Sequence, residues 1–500
     1  MKLQDLIYKD FPELINQLSR FPIQLRERRI HDISSDSRHI QVGWMFVAIV
    51  GNQEDGHFFI PQAVAQGAGV IVVASMHQSQ DFSHVVKADI PILVVDNTRR
   101  FLSLVAARLY GKHPEKIFAV TGTSGKTSVA SFVQQISQHA GLSSFQIGPM
   151  SLMPSLQRED NRLTTPSPVC IAQALAYLAS QGTTHVSIEA SSHGLDQHRL
   201  DGIKFIAGSF TNFGRDHIDY HKTQQAYFDA KMRLFEELLP KGSPAVICNN
   251  DDDSWSNKVM ERAHNAGCRV LSVGYKGTFI RLKNLTQIND KQQVSISVEG
   301  KDFDFLFPLQ GAFQVSNALV SAGLCIATGI DVPVVIEHLE KVNVIPGRFE
   351  FIGNNSKGGR IYVDYAHTPN SLEMVLRNLR NITSGRIIVV FGCGGDRDRG
   401  KRKIMGKIAL ELADLSIVTD DNPRSENPQA IRAEIINGFP GFIEEGNRQE
   451  AIRIAISMLN KEDVLVVAGK GHETVQIIHN GKMKMSVDCD VIREILRKFP

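Results

Sequence analysis

The chain has 500 residues, 42% hydrophobic, 22% charged and 7% aromatic, which is too long for one core and suits about three globular domains. Its 55 basic and 53 acidic residues leave a formal charge of +2, which gives no basis for nucleic acid or an acidic membrane surface as partner. No run approaches the roughly 20 apolar residues of a membrane span, and MKLQDLIYKDFPELI lacks the regions of a secretion signal. The six cysteines (170, 248, 268, 325, 393, 489) include no C-x-x-C pair and read as reduced thiols. A cytoplasmic globular protein is expected.

Short β-rich apolar runs alternate with helical patterns, the signature of α/β folding around parallel sheets. In the first hundred residues MFVAIV (45–50), VIVVAS (70–75) and PILVVD (91–96) are predicted strands, with HFFIPQAVAQGA a helix between the first two. The helix TRRFLSLVAARLYG then leads into KHPEKIFAVTG. Further strands are FAVTG, HVSIEAS, FIAGSFTN, PAVICNN and RVLSVG. From 279 to 310 FIRLKNL, QVSISVEG and FDFLFPL follow strand on strand as an antiparallel edge. The helices FQVSNALVSAGLCIATG and VPVVIEHLEKV precede a turn, VIPGRFE (344–350), read as a linker. Beyond it RIYVDYAH, RIIVVFGCGG, LSIVTDD and DVLVVAGKG are strands separated by helices. Three α/β domains follow, 1–97, 98–344 and 345–500, with ligands expected at the carboxyl ends of their strands.

The stretch FAVTGTSGKTSVASF (118–132) carries the first chemistry. Strand, glycine turn, Lys-Thr and helix stand in phosphate-loop order. Backbone N–H groups at the helix start face an anion, Lys126 reaches the β/γ-phosphates and the Thr127 hydroxyl ligates Mg²⁺. The Walker pattern is not met in full, since its first glycine position is Val120. The plainer alternative is a glycine turn that only joins strand to helix. Glu189 ends the strand HVSIEAS, where a metal ligand is expected. His217 lies in the polar loop GRDHIDYH, and Lys231 falls in the amphipathic helix QQAYFDAKMRLFEEL. Taken singly, these read as a salt-bridge partner, a capped loop histidine and a solvated lysine.

In order along the chain stand VTGTSGKTS, EASSHGLDQHR, FTNFGRDHIDYH, GAFQVSNAL, PGRFE, VDYAHTP, FGCGGDRDRGKR, TDDNPRSENP and AGKGHE. Together, from about residue 35 to about 480, they closely resemble the Mur ligases. The resemblance implies a small α/β N-terminal domain that binds a UDP-sugar, a central P-loop-type ATPase domain and a Rossmann-like C-terminal domain that binds the amino acid. It also implies ATP-driven amide formation through an acyl phosphate, in peptidoglycan precursor synthesis. Carried over by motif, Gly122, Thr123, Ser124, Gly125, Lys126, Thr127 and Ser128 cradle ATP, with Asn317, Arg348 and Asp364 as further nucleotide contacts. The implied catalytic set is Lys126, Glu189, His217 and Lys231, and the Mg²⁺ set Thr127, Glu189, His217 and Lys231. Lys231 matches the lysine that the family carbamylates to N6-carboxylysine. The chemistry favours this: a protonated lysine would be repelled by Mg²⁺, whereas a carbamate supplies oxygens. Ser124 stands where the family usually has asparagine, which predicts altered affinity rather than lost activity. MSVDCDVI lacks the usual aromatic-Asp-Asp-Arg run, so no role is assigned to it.

The same resemblance places Ser35, Ser37, Asn52 and Gln53 on the uridine diphosphate, although SSDSR alone is an ordinary polar turn. Thr164, Thr165, Ser191, Gln197 and Arg199 fall on the muramoyl-dipeptide. For the amine, Arg397, Asp421, Asn422, Pro423, Arg424, Gly469 and Glu473 match the family's amino-acid contacts. The D-N-P-R form is that of members using meso-diaminopimelate, and Arg424 offers a planar fork for the second carboxylate that lysine lacks. Glu473 is expected to take the distal ammonium. Small molecules are thus the expected partners, with neither nucleic acid nor membrane, and the chain is expected to act as a monomer. The competing readings are the same ligase using L-lysine, a relative adding alanine-alanine or glutamate, and a non-catalytic nucleotide-binding relative.

Overall fold

Strand order reverses at Lys116–Thr121, and that reversal organises the molecule. A computed structural model describes residues 1–7, 11–51, 54–77, 86, 89–151, 163–250, 254–478 and 483–498. Among them the largest sheet has nine strands. It runs from the edge Lys301–Phe307 through Lys291–Val298, Ile280–Ile288, Arg269–Gly274, Pro244–Cys248 and Ala207–Phe210 to Lys116–Thr121. His185–Glu189 and Ser144–Ile147 complete the far side. Pairing is parallel throughout, except where Lys291–Val298 joins its two neighbours antiparallel. The parallel strands are buried on both faces, which their near-continuous Val, Ile, Ala and Phe runs require. Because Lys116–Thr121 lies between Ala207–Phe210 and His185–Glu189, the loop after it opens between two diverging strand ends. Ligands bind at such a crevice in open α/β sheets.

A four-stranded parallel sheet, Ile33–Ser34, Met45–Val47, Val70–Ala74 and Ile92–Val95, forms the first domain. The helix Thr98–Tyr110, capped by the Asn97 side chain on Arg100 N–H, buries Phe101, Leu102, Val105 and Ala106 in that domain's core. The same helix also packs against Pro168–Ser180 and so lies between the first and central domains; it ends at Gly111, where φ is +68°. The third sheet orders Glu350–Asn354, Arg360–Asp364, Val464–Ala468, Ile387–Phe391, Leu415–Val418 and Phe442–Glu444. Only Glu350–Asn354 is antiparallel. Between the second and third domains Ile345 is buried in the central core and Phe349 in the third. No helix among the described residues is long and apolar enough to cross a membrane.

Candidate active site

The phosphate loop is shaped by two glycines. Gly122 has φ +141° and Gly125 φ +84°; a Cβ on the first would lie 1.9 Å from Thr211 Oγ1, and one on the second 2.4 Å from Asn317 Oδ1. Gly125 N-caps the helix Lys126–His139, so the first N–H groups of a fourteen-residue helix open into the crevice. The loop is braced from the neighbouring strand end: Ser124 N–H donates to Asn212 Oδ1 at 3.0 Å, and Thr211 Oγ1 donates to Ser124 O at 2.5 Å. Lys126 Nζ donates to Gly122 O at 3.0 Å and Thr123 O at 2.8 Å. Thr127 and Ser128 are buried, and Thr127 Oγ1 donates to Glu189 Oε2 at 3.0 Å.

Glu189 closes the adjacent strand and is 2% exposed, and burial raises its carboxyl above the usual range. Lys231 is 1% exposed, its ammonium 2.7 Å from Gly122 O and 4.3 Å from the Tyr227 ring centre. The helix Gln224–Arg233 thus turns this lysine inward under the phosphate loop, against the usual fate of a helical lysine. Burial, with Lys126 nearby, takes its pKa well below the ordinary value. His217 adopts φ +53°, and desolvation pushes its imidazole down to about 3, leaving a neutral ring with a lone pair. The oxygens of Glu189 and Thr127 and this ring form a donor set that fits a hard divalent cation once Lys231 carries oxygens. Thr127, Glu189 and His217 line one cavity, and Lys231 bonds the Gly122 carbonyl of its phosphate loop.

The third domain closes this crevice. Arg348 Nη2 donates to Thr127 Oγ1 at 3.0 Å, and its guanidinium stacks 4.3 Å from the Tyr365 ring centre. Phe349 follows at φ +53°, a conformation held by its N–H bond to Asp364 Oδ2 at 2.7 Å and by stacking on Tyr362. Asp364 also accepts from Ala366 N–H, and burial pushes its pKa up to about 6. A cavity of about 170 Å³ is lined by the phosphate loop, Thr164, Glu189, His217, Asn317, Arg348 and Asp364. An adjoining cavity of about 380 Å³ runs along Asn250, Tyr275, Phe313 and Met374, a mixed polar and aromatic surface.

A larger cavity, about 990 Å³, opens between the first two domains and is lined by Ser35, Arg38, His39, Trp44, Arg99, Gln197 and Arg199. Two of the expected contacts have hydroxyls turned inward. Ser37 is 5% exposed and donates to Gln62 Oε1 at 2.8 Å, bracing the turn rather than facing the cavity. Thr165 is fully buried, donating to Glu189 O at 2.6 Å and lying 2.9 Å from Ser191 Oγ, so it positions the strand tip. Ser191 caps the helix Ser192–Asp196 through Gly194 N–H. Arg199 donates to Thr165 O at 2.6 Å and Gln197 Oε1 at 2.7 Å. Asn52 and Gln53 lie outside the described residues.

The expected amino-acid contacts gather at the strand ends of the third sheet. Arg424, at φ +54°, donates from Nη1 to Gly395 O at 2.8 Å, and a Cβ on Gly394 would meet that nitrogen at 2.7 Å. Burial, then the charge of Arg397, lowers its pKa: two guanidiniums share one neighbourhood, an arrangement suited to a carboxylate. Asn422 Nδ2 donates to Glu473 Oε2 at 2.9 Å, and Tyr365 OH donates to Glu473 Oε1 at 3.3 Å. Asp421 and Pro423 are buried or backbone elements: Asn422 N–H donates to Asp421 Oδ1, and Pro423 O lies 1.9 Å from a Cβ built on Gly395. Gly469, at φ +111°, leaves room for Asp421 Oδ2. The 486–490 segment acquires a structural part, since buried Asp488 pairs with buried Arg448.

Sequence reasoning passed over Asp216, His367 and Tyr365, which line the same cleft. Each sits inside a quoted motif, but only spatial convergence distinguishes it from a loop residue.

A phosphate loop at a sheet's switch point, capped by a second α/β domain and flanked by a cavity shared with a third, defines a P-loop-type nucleotide-binding protein. Family models match in three segments: "Mur ligase family, catalytic domain" over residues 29–110, "Mur ligase middle domain" over 120–325 and "Mur ligase, glutamate ligase domain" over 347–471. The chain belongs to the Mur ligase family. It is 47% identical over 499 residues to the UDP-N-acetylmuramoyl-L-alanyl-D-glutamate--2,6-diaminopimelate ligase of Agrobacterium fabrum, spanning 100% of this chain and 99% of that protein. The ligase of the same name from Mesorhizobium japonicum is 50% identical over 466 residues, 93% of this chain and 94% of that one. A solved structure, again named as a UDP-N-acetylmuramoyl-L-alanyl-D-glutamate--2,6-diaminopimelate ligase, superposes with a TM-score of 0.68 at 30% identity. It covers 100% of this chain and 99% of that one.

Proposed function

We propose that the chain is a cytoplasmic, ADP-forming ligase that joins meso-2,6-diaminopimelate to the D-glutamate carboxylate of UDP-N-acetylmuramoyl-L-alanyl-D-glutamate. The observation that carries this is the gathering of Lys126, Thr127, Glu189 and His217 in one crevice, with Lys231 beneath its phosphate loop and the Arg397–Arg424 neighbourhood at the adjoining domain.

The chemistry follows from the site. A carboxylate and an amine ionise in water rather than condense, so the acid must be activated. Its oxygen attacks the γ-phosphorus, ADP leaves, and an acyl phosphate forms. The neutral amine then attacks the acyl carbon, and collapse of the tetrahedral adduct expels inorganic phosphate. Lys126 and the helix N–H groups orient the phosphates, and Arg348 closes over them. Bound Mg²⁺ would be held by Thr127, Glu189, His217 and carbamylated Lys231, neutralising charge that builds on the transferring phosphoryl group. Burial lowers the Lys231 pKa and so favours the neutral amine, the form that adds CO₂: a C–N bond forms, one proton leaves and a carbamate remains. Exclusion of water from the closed crevice protects the acyl phosphate.

The runner-up uses L-lysine. Two guanidiniums at the amino-acid site favour a substrate with a second carboxylate, because lysine would leave the partly desolvated Arg424 without a carboxylate partner. Turnover with each amine, with ATP and the nucleotide-dipeptide held constant, decides between them.

A further inference from the structure

Three consecutive residues ahead of His217 touch the third domain. A Cβ on Gly214 would lie 2.8 Å from Asn370 Cγ. Arg215 grips Asp398 side-on, Nε to Oδ2 at 2.8 Å and Nη2 to Oδ1 at 3.0 Å. Asp216 Oδ2 lies 3.7 Å from His367 Nε2. Asp398 is set for its partner by its own loop: Oδ1 accepts from Gly400 N–H at 2.9 Å, and its side chain is 7% exposed. Gly400 provides the space, since a Cβ there would meet Arg215 Nη2 at 2.5 Å. Lys401 adds a bond from the same helix start to His367 O at 2.8 Å.

The positions of the two partners in the chain matter more than their charge. Arg215 stands two residues before His217 in the metal-site loop, and Asp398 directly follows Arg397 in the amino-acid-site loop. We infer that the Arg215–Asp398 pair is a positioning device that sets the distance between the activated acyl carbon and the incoming amine. The inference rests on the ligase reading above. A fork-to-carboxylate pair fixes orientation as well as separation, which a single lysine contact does not. Misplacement of a reacting group by about 1 Å costs on the order of a hundredfold in rate. Water needs no such placement. When the pair is broken the acyl phosphate meets water instead, its acyl–oxygen bond cleaves, and carboxylate and inorganic phosphate form without amide.

The test uses the full chain with ATP, Mg²⁺, the nucleotide-dipeptide and diaminopimelate, and measures phosphate released per amide formed. Arg215→Ala, Arg215→Lys, Asp398→Ala and the Arg215→Ala/Asp398→Ala double variant are compared with wild type. The expected result is a roughly tenfold or greater rise in KM for the amine and excess phosphate over amide, with KM for ATP within about twofold and the melting temperature little changed. Arg215→Lys should fall between wild type and Arg215→Ala, and the double variant should be no worse than either single. Unchanged amine KM and a one-to-one ratio in Arg215→Ala, or additive losses in the double variant, would overturn the inference. Failure of wild type to form amide would instead overturn the ligase reading, so the two failures are distinct.

Discussion

Arg348 Nη2 lies 3.0 Å from Thr127 Oγ1. An arginine on the linker into the third domain thereby touches the residue expected to ligate the nucleotide's metal. Domain position and phosphate site are thus coupled through one side chain, which also stacks on Tyr365. Arg348→Ala should lower kcat/KM for ATP roughly ten- to a hundredfold, since a hydrogen bond to a charged group contributes about 1.5–3 kcal/mol. Initial-rate kinetics check this; kcat/KM within twofold of wild type would contradict the coupling.

Lys231 is buried, which lowers its pKa and so favours the neutral amine, the state that reacts with CO₂. Activity should fall when CO₂ and bicarbonate are stripped and return when bicarbonate is added. Lys231→Ala should lose nearly all turnover while remaining folded. A carbamate carbon detected by ¹³C labelling would identify the modified side chain, and turnover indifferent to bicarbonate with no such signal would count against it.

Asp364 carries a pH signature. Burial raises its folded pKa to about 6, above the unfolded value of about 3.9. Its contribution to stability is therefore fully present below about pH 4 and is lost as pH rises through about 6, a change of about 3 kcal/mol. Urea unfolding should find wild type losing stability relative to Asp364→Asn between pH 4 and 7. A constant difference across that range would contradict the assignment.

Much of the site was legible because its chemistry sits at strand tips and glycine turns, where local pattern and function coincide. Gly122, Glu189 and His217 are of this kind. Lys231 was legible only through resemblance: its helix reads as amphipathic, and nothing local says that the helix crosses beneath the phosphate loop. A polar motif does not reveal which hydroxyls turn inward, as those of Ser37 and Thr165 do. The helix Thr98–Tyr110 packs Phe101, Leu102, Val105 and Ala106 into the core of the first sheet and also meets Ala172, a tertiary fact. Edge strands such as Phe442–Glu444 are three residues long among Gly and Pro, below the length at which periodicity is informative.

Arg448 and Asp488 form a side-on pair at 2.9 and 2.7 Å with side chains 1% and 0% exposed. Arg448 also donates to Ala468 O, tying the final helix to the strand end before Gly469. Removing one partner leaves a buried, uncompensated charge, so Asp488→Asn should destabilise the third domain by about 3–5 kcal/mol. Thermal or urea unfolding measures it, and a loss below about 1 kcal/mol would show the pair to be dispensable.

Arg424→Ala should abolish most ligation of diaminopimelate while leaving ATP binding intact, because only the amino-acid site loses its fork. Equilibrium nucleotide binding beside amide formation separates the two effects. Unchanged turnover with diaminopimelate would remove Arg424 from the site.

The central claim is tested most directly by phosphate release from ATP plus UDP-N-acetylmuramoyl-L-alanyl-D-glutamate, run with meso-diaminopimelate, with L-lysine and with no amine. The account predicts rapid release matched by amide formation with diaminopimelate, and rates lower by orders of magnitude with lysine or without amine. Equal release in all three reactions, or none in any, would contradict it.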